Sequence, residues 1–196
     1  ESQIALFCDM ISRLEEQGAS FRLRHCANSG AVLFWRDQTC AFDMVRPGIL
    51  LYGCGEGAKE LGLKPAMTLK TTVSVIRYPE KGLSISYGRL YTLEKKTRIG
   101  VLPIGYADGL HRVLSNQMEV LLHGKRVKQI GRICMDMCMV DVTDLPDVRE
   151  GDVATIFGTD GDETIPVEEL ADKIGTISYE LLCNVAPRVP RVYLDD

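Results

Sequence analysis

Arg46 and Gly48 lie in the segment Asp-Met-Val-Arg-Pro-Gly-Ile at 43–49, where a short apolar strand is predicted to end. An arginine stays cationic near neutral pH and can only donate hydrogen bonds, so Arg46 is suited to an acceptor such as an aromatic ring nitrogen. The backbone amides of the glycine turn, at Gly48 and Ile49, are suited to a phosphate. The segment therefore predicts donors for two different groups of a ligand.

Five further segments place polar side chains at turns or helix starts. They are His-Cys-Ala-Asn-Ser at 25–29, Ile-Ser-Tyr-Gly at 85–88, Pro-Ile-Gly-Tyr-Ala-Asp-Gly at 103–109, Gly-Arg-Ile-Cys-Met-Asp at 131–136 and Thr-Ile-Ser-Tyr-Glu at 176–180. Together with the first segment they resemble the alanine racemase family, which uses pyridoxal phosphate (PLP). The resemblance covers essentially the whole chain and implies the end of an N-terminal α/β barrel followed by a C-terminal β domain.

The resemblance implies a set of cofactor-binding residues. Arg46 would donate to the pyridine nitrogen of PLP, and His25 would support Arg46. The phosphate would be bound by four residues: Ser29, Gly48, Ile49 and Tyr179. From the residues alone, Ser29 could equally be a helix N-cap and Tyr179 an ordinary tyrosine of an amphipathic helix.

The resemblance also implies the residues that act on the substrate. Tyr87 matches the catalytic tyrosine, which exchanges a proton on the face of the substrate opposite the Schiff-base lysine. The substrate-binding positions are Tyr106, Arg112, Arg132, Met135, through its backbone amide, and Asp136. In the family the tyrosine reaches the active site of the other subunit, so the resemblance implies a homodimer.

The implied function is that of an isomerase, the PLP-dependent racemisation of L-alanine to D-alanine by two bases. D-Alanine serves peptidoglycan synthesis in the bacterial cell wall. None of the chain's lysines has the glycine- and asparagine-rich setting of the Schiff-base lysine. We therefore expect the lysine and the rest of the barrel to lie upstream, and the chain alone to be inactive.

Two alternatives differ in substrate or in class. The first is a serine/alanine or broad-range racemase of the vancomycin-resistance type, and the usual residue Tyr179 favours alanine instead. The second is a non-catalytic β-domain module for dimerisation or regulation. A complete polar set of Tyr87, Tyr106, Arg112 and Arg132 argues against it, because an interaction module does not need one.

Composition excludes several classes of partner. The 196 residues carry a formal net charge of -4, which gives no reason to expect nucleic acid or an anionic membrane. No apolar run is long enough for a membrane span, and no signal peptide is recognisable. The start at Glu1 resembles a cut within a longer protein. We expect a cytoplasmic location, as the cytoplasmic domain of a membrane protein if the upstream part carries transmembrane helices.

The seven cysteines include no Cys-x-x-Cys pair and favour reduced thiols. Cys134 and Cys138 could form a metal site with His123, but they lie in alternating apolar sequence. We therefore expect buried apolar cysteines and no metal.

The elements fall into two parts. Residues 1–58 are predicted to form the end of an α/β barrel, with a helix at 4–16, a strand at 21–25, a helix at 29–34 and a strand at 42–52. Residues 59–196 are predicted to form a mainly β domain. Its strands are expected at 67–77, 98–104, 119–122, 126–130, 139–142, 153–157 and 188–194, with helices at 164–174, capped by Thr164, and at 176–185.

Overall fold

The computed structural model describes residues 2–39, 42–55 and 57–194. The chain divides into two compact units between Lys64 and Pro65. The first unit contains helices and short parallel strands, and the second is mainly antiparallel β-sheet. This confirms the predicted change from an α/β segment to a β domain.

The first unit begins with an amphipathic helix and continues as a β-α-β crossover. Its elements are α1 (Ser2–Glu16), β1 (His25–Cys26), α2 (Ser29–Phe34), α3 (Arg36–Thr39), β2 (Met44–Val45) and a 3-10 helix (Ile49–Tyr52). Strands β1 and β2 pair in parallel, with His25 opposite Met44 and Cys26 opposite Val45. A parallel pair joined through helices is the repeating unit of an α/β barrel, so the local topology fits the predicted barrel end.

Both predicted strands of this unit are shorter in the structure. The strand expected at 42–52 ends at Val45, because Pro47 has no N–H to continue a ladder and the chain then turns into the 3-10 helix. The strand expected at 21–25 forms only at His25–Cys26, where β2 lies beside it. Both short strands end close to the predicted site residues.

The described part of the second unit, residues 65–194, contains ten strands. They are β3 (Leu69–Thr72), β4 (Val75–Arg77), β5 (Ser84–Ile85), β6 (Tyr91–Thr92), β7 (Ile99–Leu102), β8 (Glu119–Leu122), β9 (Lys125–Ile130), β10 (Cys138–Asp141), β11 (Val153–Asp160) and β12 (Glu163–Ile165). The main antiparallel sheet has the order β12-β11-β8-β9-β10-β7-β4, with β3 also paired to β11. Strands β5 and β6 form a separate hairpin.

Two helices and three 3-10 helices are the other regular elements in this described range. They are α4 (Val167–Ile174), α5 (Ser178–Asn184) and the 3-10 helices Tyr87–Arg89, Tyr106–Asp108 and Arg112–Leu114. In β8 three consecutive residues, Val120, Leu121 and Leu122, are fully buried, so both faces of this strand are covered. Burial of each such side chain contributes about 1.5–3 kcal/mol. The buried core therefore stabilises the sheet, and the 3-10 helices lie in the connections between its strands.

Three element predictions in the second unit are wrong, each for a local reason. The strand expected at 67–77 is broken at Val73 and Ser74, where the backbone changes partner from Asp152 to Val101. Thr164 does not cap a helix but lies in β12, where it pairs with Thr159 of β11. Helix α4 starts after Pro166. The final strand at 188–194 does not form.

The tail at 188–194 lacks strand pairing because two prolines remove backbone donors and an arginine occupies the nearby carbonyls. Pro187 and Pro190 have no N–H. The guanidinium of Arg191 donates to the carbonyls of Val185, Ala186 and Val189 at 2.6–2.7 Å. The Arg191 side chain thereby attaches the tail to the segment that follows α5.

Candidate active site

In the first unit, Arg46 and His25 come together at the ends of the two parallel strands. Arg46 Nη1 lies 2.8 Å from His25 Nδ1, and the Arg46 amide donates to the Ala27 carbonyl at 2.8 Å. A guanidinium only donates, so Nδ1 of His25 must accept, and the proton of the neutral ring lies on Nε2. The predicted support of Arg46 by His25 therefore has a matching contact.

Ser29 is buried at the start of α2 and faces the turn after β2. Its Oγ accepts hydrogen bonds from the amides of Gly48 at 2.9 Å and Leu50 at 3.5 Å. The helix N-cap is Asn28, whose Oδ1 accepts from the Ala31 amide at 3.0 Å. The alternative in which Ser29 is only an N-cap is therefore excluded.

The turn after β2 offers both open space and a donor for an anion. No atom would lie within 4 Å of a Cβ added at Gly48. The Gly48 amide is already bonded to Ser29, whereas the Ile49 amide forms no hydrogen bond within the described ranges. The Ser29 hydroxyl accepts those amides and still has its own hydrogen to donate.

A cleft of about 830 Å³ opens beside these residues. Its lining includes His25, Cys26 and Arg46 together with Ile4 and Phe7 of α1. Burial raises the pKa of the Cys26 thiol, and the charge of Arg46 opposes that shift. The cleft thus combines an apolar wall with one cation, as a pocket for an aromatic ring with a nitrogen acceptor requires.

In the second unit, Tyr87 lies on a tightly turned loop after β5. Its side chain is 74% exposed. Ser86 has φ +65° and ψ -173°, a conformation that residues other than glycine rarely adopt. Ser86 Oγ donates to the Arg132 carbonyl at 2.7 Å and lies 3.3 Å from Cys134 Sγ. These contacts attach the Tyr87 loop to the turn that carries Arg132 and Met135.

Tyr106 is attached to the same turn by its backbone. The Tyr106 amide donates to the Cys134 carbonyl, and the Ala107 amide donates to the Met135 carbonyl, both at 3.0 Å. A Cβ at Gly105 would overlap these two carbonyl groups, so the close approach of the two turns requires glycine. Tyr87, Tyr106, Arg132 and Met135 therefore lie on mutually bonded segments.

Arg112 and Tyr179 are linked through the end of α5. His111 Nε2 lies 3.0 Å from Asn184 Nδ2, and the turn at Gly109 packs against the Asn184 carbonyl. Tyr179 is the second residue of α5 and is about half exposed. The structure thus connects the helix that carries Tyr179 to the loop that carries Arg112.

Some charged groups on these turns have ion-pair partners in the structure and others do not. Within the described ranges neither Arg112 nor Arg132 forms a salt bridge. The Met135 amide donates no hydrogen bond to the part of the chain that the structure describes. Asp136, by contrast, is paired with Arg188 at 2.6 Å. Two cations and one amide are therefore available for a carboxylate.

Arg188 is a residue that the sequence analysis missed. Its Nε donates to Asp108 Oδ1 at 2.7 Å and its Nη2 to Asp136 Oδ1 at 2.6 Å. Hydrogen bonds to Asp108 first, and to Asp136 second, raise the pKa of Arg188. Its position between two prolines after α5 is a weak signal that alone would not have indicated this contact.

Of the two cysteines considered for a metal site, Cys138 is buried as predicted, whereas Cys134 is half-buried and contacts polar atoms. Cys138 is buried in β10, and burial raises the pKa of its thiol to about 12. Cys134 is half-buried beside Ser86, and His123 Nε2 instead lies 2.8 Å from Asp152 Oδ2. Among the described residues no group of three His, Cys, Asp or Glu could hold a metal ion.

Family models cover both units. The alanine racemase N-terminal domain matches residues 1–56, and the alanine racemase C-terminal domain matches residues 66–193. The second match alone spans well over half of the chain. The chain belongs to the alanine racemase family. No helix in the described ranges is long and apolar enough to cross a membrane.

Individual racemases agree with this assignment over nearly the whole chain. Alanine racemase from Desulforamulus reducens is 47% identical over 98% of this chain and 52% of its own length. The relative from Methanococcus maripaludis is 45% identical over 98% of this chain and 52% of its length. The chain spans about half the length of the curated relatives it matches.

Solved racemase structures have the same fold over this span. The alanine racemase of Clostridium difficile 630 in complex with cycloserine matches with a TM-score of 0.90 and 38% identity, over 98% of this chain and 51% of that chain. The alanine racemase of Bacillus anthracis with bound L-Ala-P gives 0.88 and 38%, over 99% of this chain and 50% of that chain.

Proposed function

We propose that this chain forms about half of a PLP-dependent racemase that converts L-alanine to D-alanine. The observation that carries the proposal is the bonded set of turns that presents Tyr87, Tyr106, Arg132 and Met135 in one unit. The Arg46–His25 pair and the Ser29 turn in the other unit support it. The matches to alanine racemases over both units point to the same reaction.

The residues of the first unit fit PLP. Arg46 would donate to the pyridine nitrogen, and its pairing with His25 instead of a carboxylate leaves it a plain cationic donor. Ser29 and the turn at Gly48 and Ile49 would bind the phosphate. Tyr179 would add a hydroxyl to that phosphate. Bound there, PLP would supply an electron-withdrawing ring that acidifies the proton on the substrate's α-carbon.

Arg46 would also decide which reaction the ring favours. Arg46 would donate to the ring nitrogen and keep its own proton, so it would hold that nitrogen unprotonated. It would thereby weaken the electron withdrawal that the ring supplies. The α-proton would then be returned to carbon before decarboxylation or transamination could occur.

The residues of the second unit would handle the substrate. Arg132 and Arg112 would attract its carboxylate, and the Met135 amide would donate to that carboxylate. Tyr87 would move a proton on one face of the α-carbon, and a lysine outside this chain would serve the other face. Tyr106 would line the entrance. Asp136 would act there as the partner of Arg188.

The proposal includes a homodimer, with Tyr87 of one subunit serving the site of the other. The exposure of Tyr87 supports this, because an exposed side chain is accessible to a second subunit. The product, D-alanine, would be used in peptidoglycan synthesis in the cytoplasm. A preference for serine remains the second candidate within the same class.

The deciding experiment measures racemisation by the complete protein and by this chain separately. With PLP present, the complete protein should convert L-alanine to D-alanine, detected by D-amino-acid oxidase, and should act more slowly on L-serine. This chain alone should show no turnover and no borohydride-stable lysine adduct of defined stoichiometry. Racemisation by this chain alone would contradict the proposed division of the site.

A further inference from the structure

Arg188 bridges two of the turns that carry predicted substrate-binding residues. One nitrogen donates to Asp108, which lies two residues after Tyr106, and another donates to Asp136, which directly follows Met135. The distances of 2.7 and 2.6 Å are those of charge-assisted hydrogen bonds. A guanidinium can hold two carboxylates at once because its donors form a rigid fork.

The bridged turns are the ones whose backbones are already in contact. Tyr106 and Ala107 donate to the carbonyls of Cys134 and Met135. Asp108 in addition accepts from the Gly105 amide at 2.8 Å through its second oxygen. Arg188 therefore adds a charged bridge at the open end of a backbone contact, where two hydrogen bonds alone would allow the turns to separate.

The same arginine ties these turns to α5, which carries Tyr179. Arg188 lies four residues beyond the end of α5, and the Ala186 amide donates to the Asp108 carbonyl at 3.0 Å. The Asp108 side chain is only 14% exposed. Without Arg188, Oδ1 of this largely buried carboxylate would lose its charged partner and only Oδ2 would keep the Gly105 amide, so the turn would be free to rearrange toward water.

We propose that Arg188 is a positioning residue that fixes the Tyr106 and Met135 turns in the arrangement that receives the substrate carboxylate. The inference rests on the proposed function for its substrate, but its structural part concerns this chain alone. In this role Arg188 acts through its two carboxylate partners and not through the substrate. Its effect is exerted through the Met135 amide and through Tyr106.

The matched control is Arg126, which forms an equivalent network away from the predicted site. Arg126 pairs with Glu119, Glu163 and Glu169 at 3.0–3.4 Å. Arg188→Gln and Arg126→Gln thus remove the same group from an ion-pair network in the same unit. A purely structural role predicts similar effects of the two changes on the site.

The first experiment uses this chain and no substrate. Methionine methyl groups are labelled with ¹³C, and the spectra of the two variants are compared with the unaltered chain. Arg188→Gln should shift the Met135 resonance and leave that of Met118, buried in the core, in place. Arg126→Gln should leave Met135 unshifted. An unchanged Met135 resonance in Arg188→Gln would overturn the proposal.

The second experiment uses the complete racemase. Arg188→Gln should lower kcat/KM for alanine by about 10- to 100-fold, chiefly through KM, with the absorbance of bound PLP unchanged. Arg188→Lys should recover part of this loss, since one ammonium can pair with one carboxylate at a time. Arg126→Gln should keep the original KM. Equal losses of kcat/KM in Arg188→Gln and Arg126→Gln would contradict the proposal, because Arg188 would then only stabilise the fold.

A further variant covers the case in which Arg188→Gln does not fold. Asp136→Asn removes one of the two bridges, and it should shift Met135 and raise KM in the same sense. If Asp136→Asn changes neither the Met135 resonance nor KM, the proposal fails. If the complete protein does not racemise alanine, the proposed function fails instead, and the methyl spectra still decide whether Arg188 holds the turn.

Discussion

Arg46 donates to the Nδ1 atom of His25 and forms no salt bridge within the described ranges. A guanidinium with a neutral partner keeps its remaining donors free for another neutral acceptor, such as a pyridine nitrogen. Sequence reasoning alone could not decide this, because arginines at strand ends usually form surface ion pairs. The contact with His25 distinguishes an arginine that is free to bind a neutral acceptor from one that is held in a surface ion pair.

Arg46→Lys tests this assignment in the complete enzyme. One flexible ammonium cannot replace a planar fork, so turnover should fall by about 10²-fold or more while PLP still binds. Racemisation and PLP absorbance are the measurements. Arg24→Lys is the matched control, because Arg24 lies in the same unit. Within the described residues its side chain pairs with Glu15, and its contacts with Asp43 run through the Arg24 backbone. Undiminished turnover in Arg46→Lys would remove Arg46 from the pyridine site.

At the scale of elements, the antiparallel sheet was easier to predict than the turns between its strands. The strand at Glu119–Leu122 matches its predicted bounds, because a run of apolar residues between turn residues favours a strand. The missing strand after Pro187 follows from two prolines in the tail itself, whereas the change of partner at Val73 depends on tertiary pairing, which one segment does not encode. The family motifs indicated the turns of the site, because each motif lies within one segment. The role of Arg188 became visible only in the structure, because its contacts with Asp108 and Asp136 join distant segments.

The Tyr87 loop stores strain at Ser86, which can be measured on this chain. Ser86→Gly and Ser86→Ala both lose the hydrogen bond from Ser86 Oγ to the Arg132 carbonyl. Only glycine adopts the positive φ without strain, which removes a penalty of about 1–3 kcal/mol that alanine would keep. Against this, the greater freedom of glycine in the unfolded chain costs about 0.5–1 kcal/mol. Ser86→Gly should therefore be about 1–2 kcal/mol more stable than Ser86→Ala in urea unfolding. Equal stabilities would mean that Ser86 is not strained.

The network of Arg126 gives the sheet and α4 a pH-dependent contribution to stability. Hydrogen bonds from Arg126 lower the pKa of Glu169 below its usual 4.5. A lowered folded-state pKa stabilises the fold above the unfolded-state pKa, and that stabilisation is lost as pH falls through the folded value. Glu169→Gln should thus reduce stability by about 0.5–1 kcal/mol at pH 7, with the difference shrinking below pH 4.5.

Unfolding by urea between pH 3 and pH 7 measures this difference. Asp172→Asn is the control on the same helix, because Asp172 forms no salt bridge within the described residues. Its effect on stability should not follow the same pH dependence. A constant difference for Glu169→Gln across this range would contradict the pairing with Arg126.

At the scale of the whole molecule, the two units carry different parts of the proposed site. The residues that fit PLP are in the first unit, with Tyr179 in the second, and Tyr87 and the carboxylate-binding turns are in the second unit. In a dimer that shares its sites, the Arg46 of one subunit would work with the Tyr87 of the other. Two inactive variants of the same protein can therefore be combined to test the arrangement.

The variants are Arg46→Lys and Tyr87→Phe, each made in the complete enzyme. Loss of a general base lowers turnover by about 10²- to 10⁴-fold, so Tyr87→Phe alone should be nearly inactive. A mixed dimer would hold one site with both substitutions and one site with neither. With random exchange half of the dimers are mixed, so the mixture should recover about a quarter of the original activity. If exchange is demonstrated by mass labels and no activity returns, Tyr87 serves the site of its own chain or takes no part in the reaction.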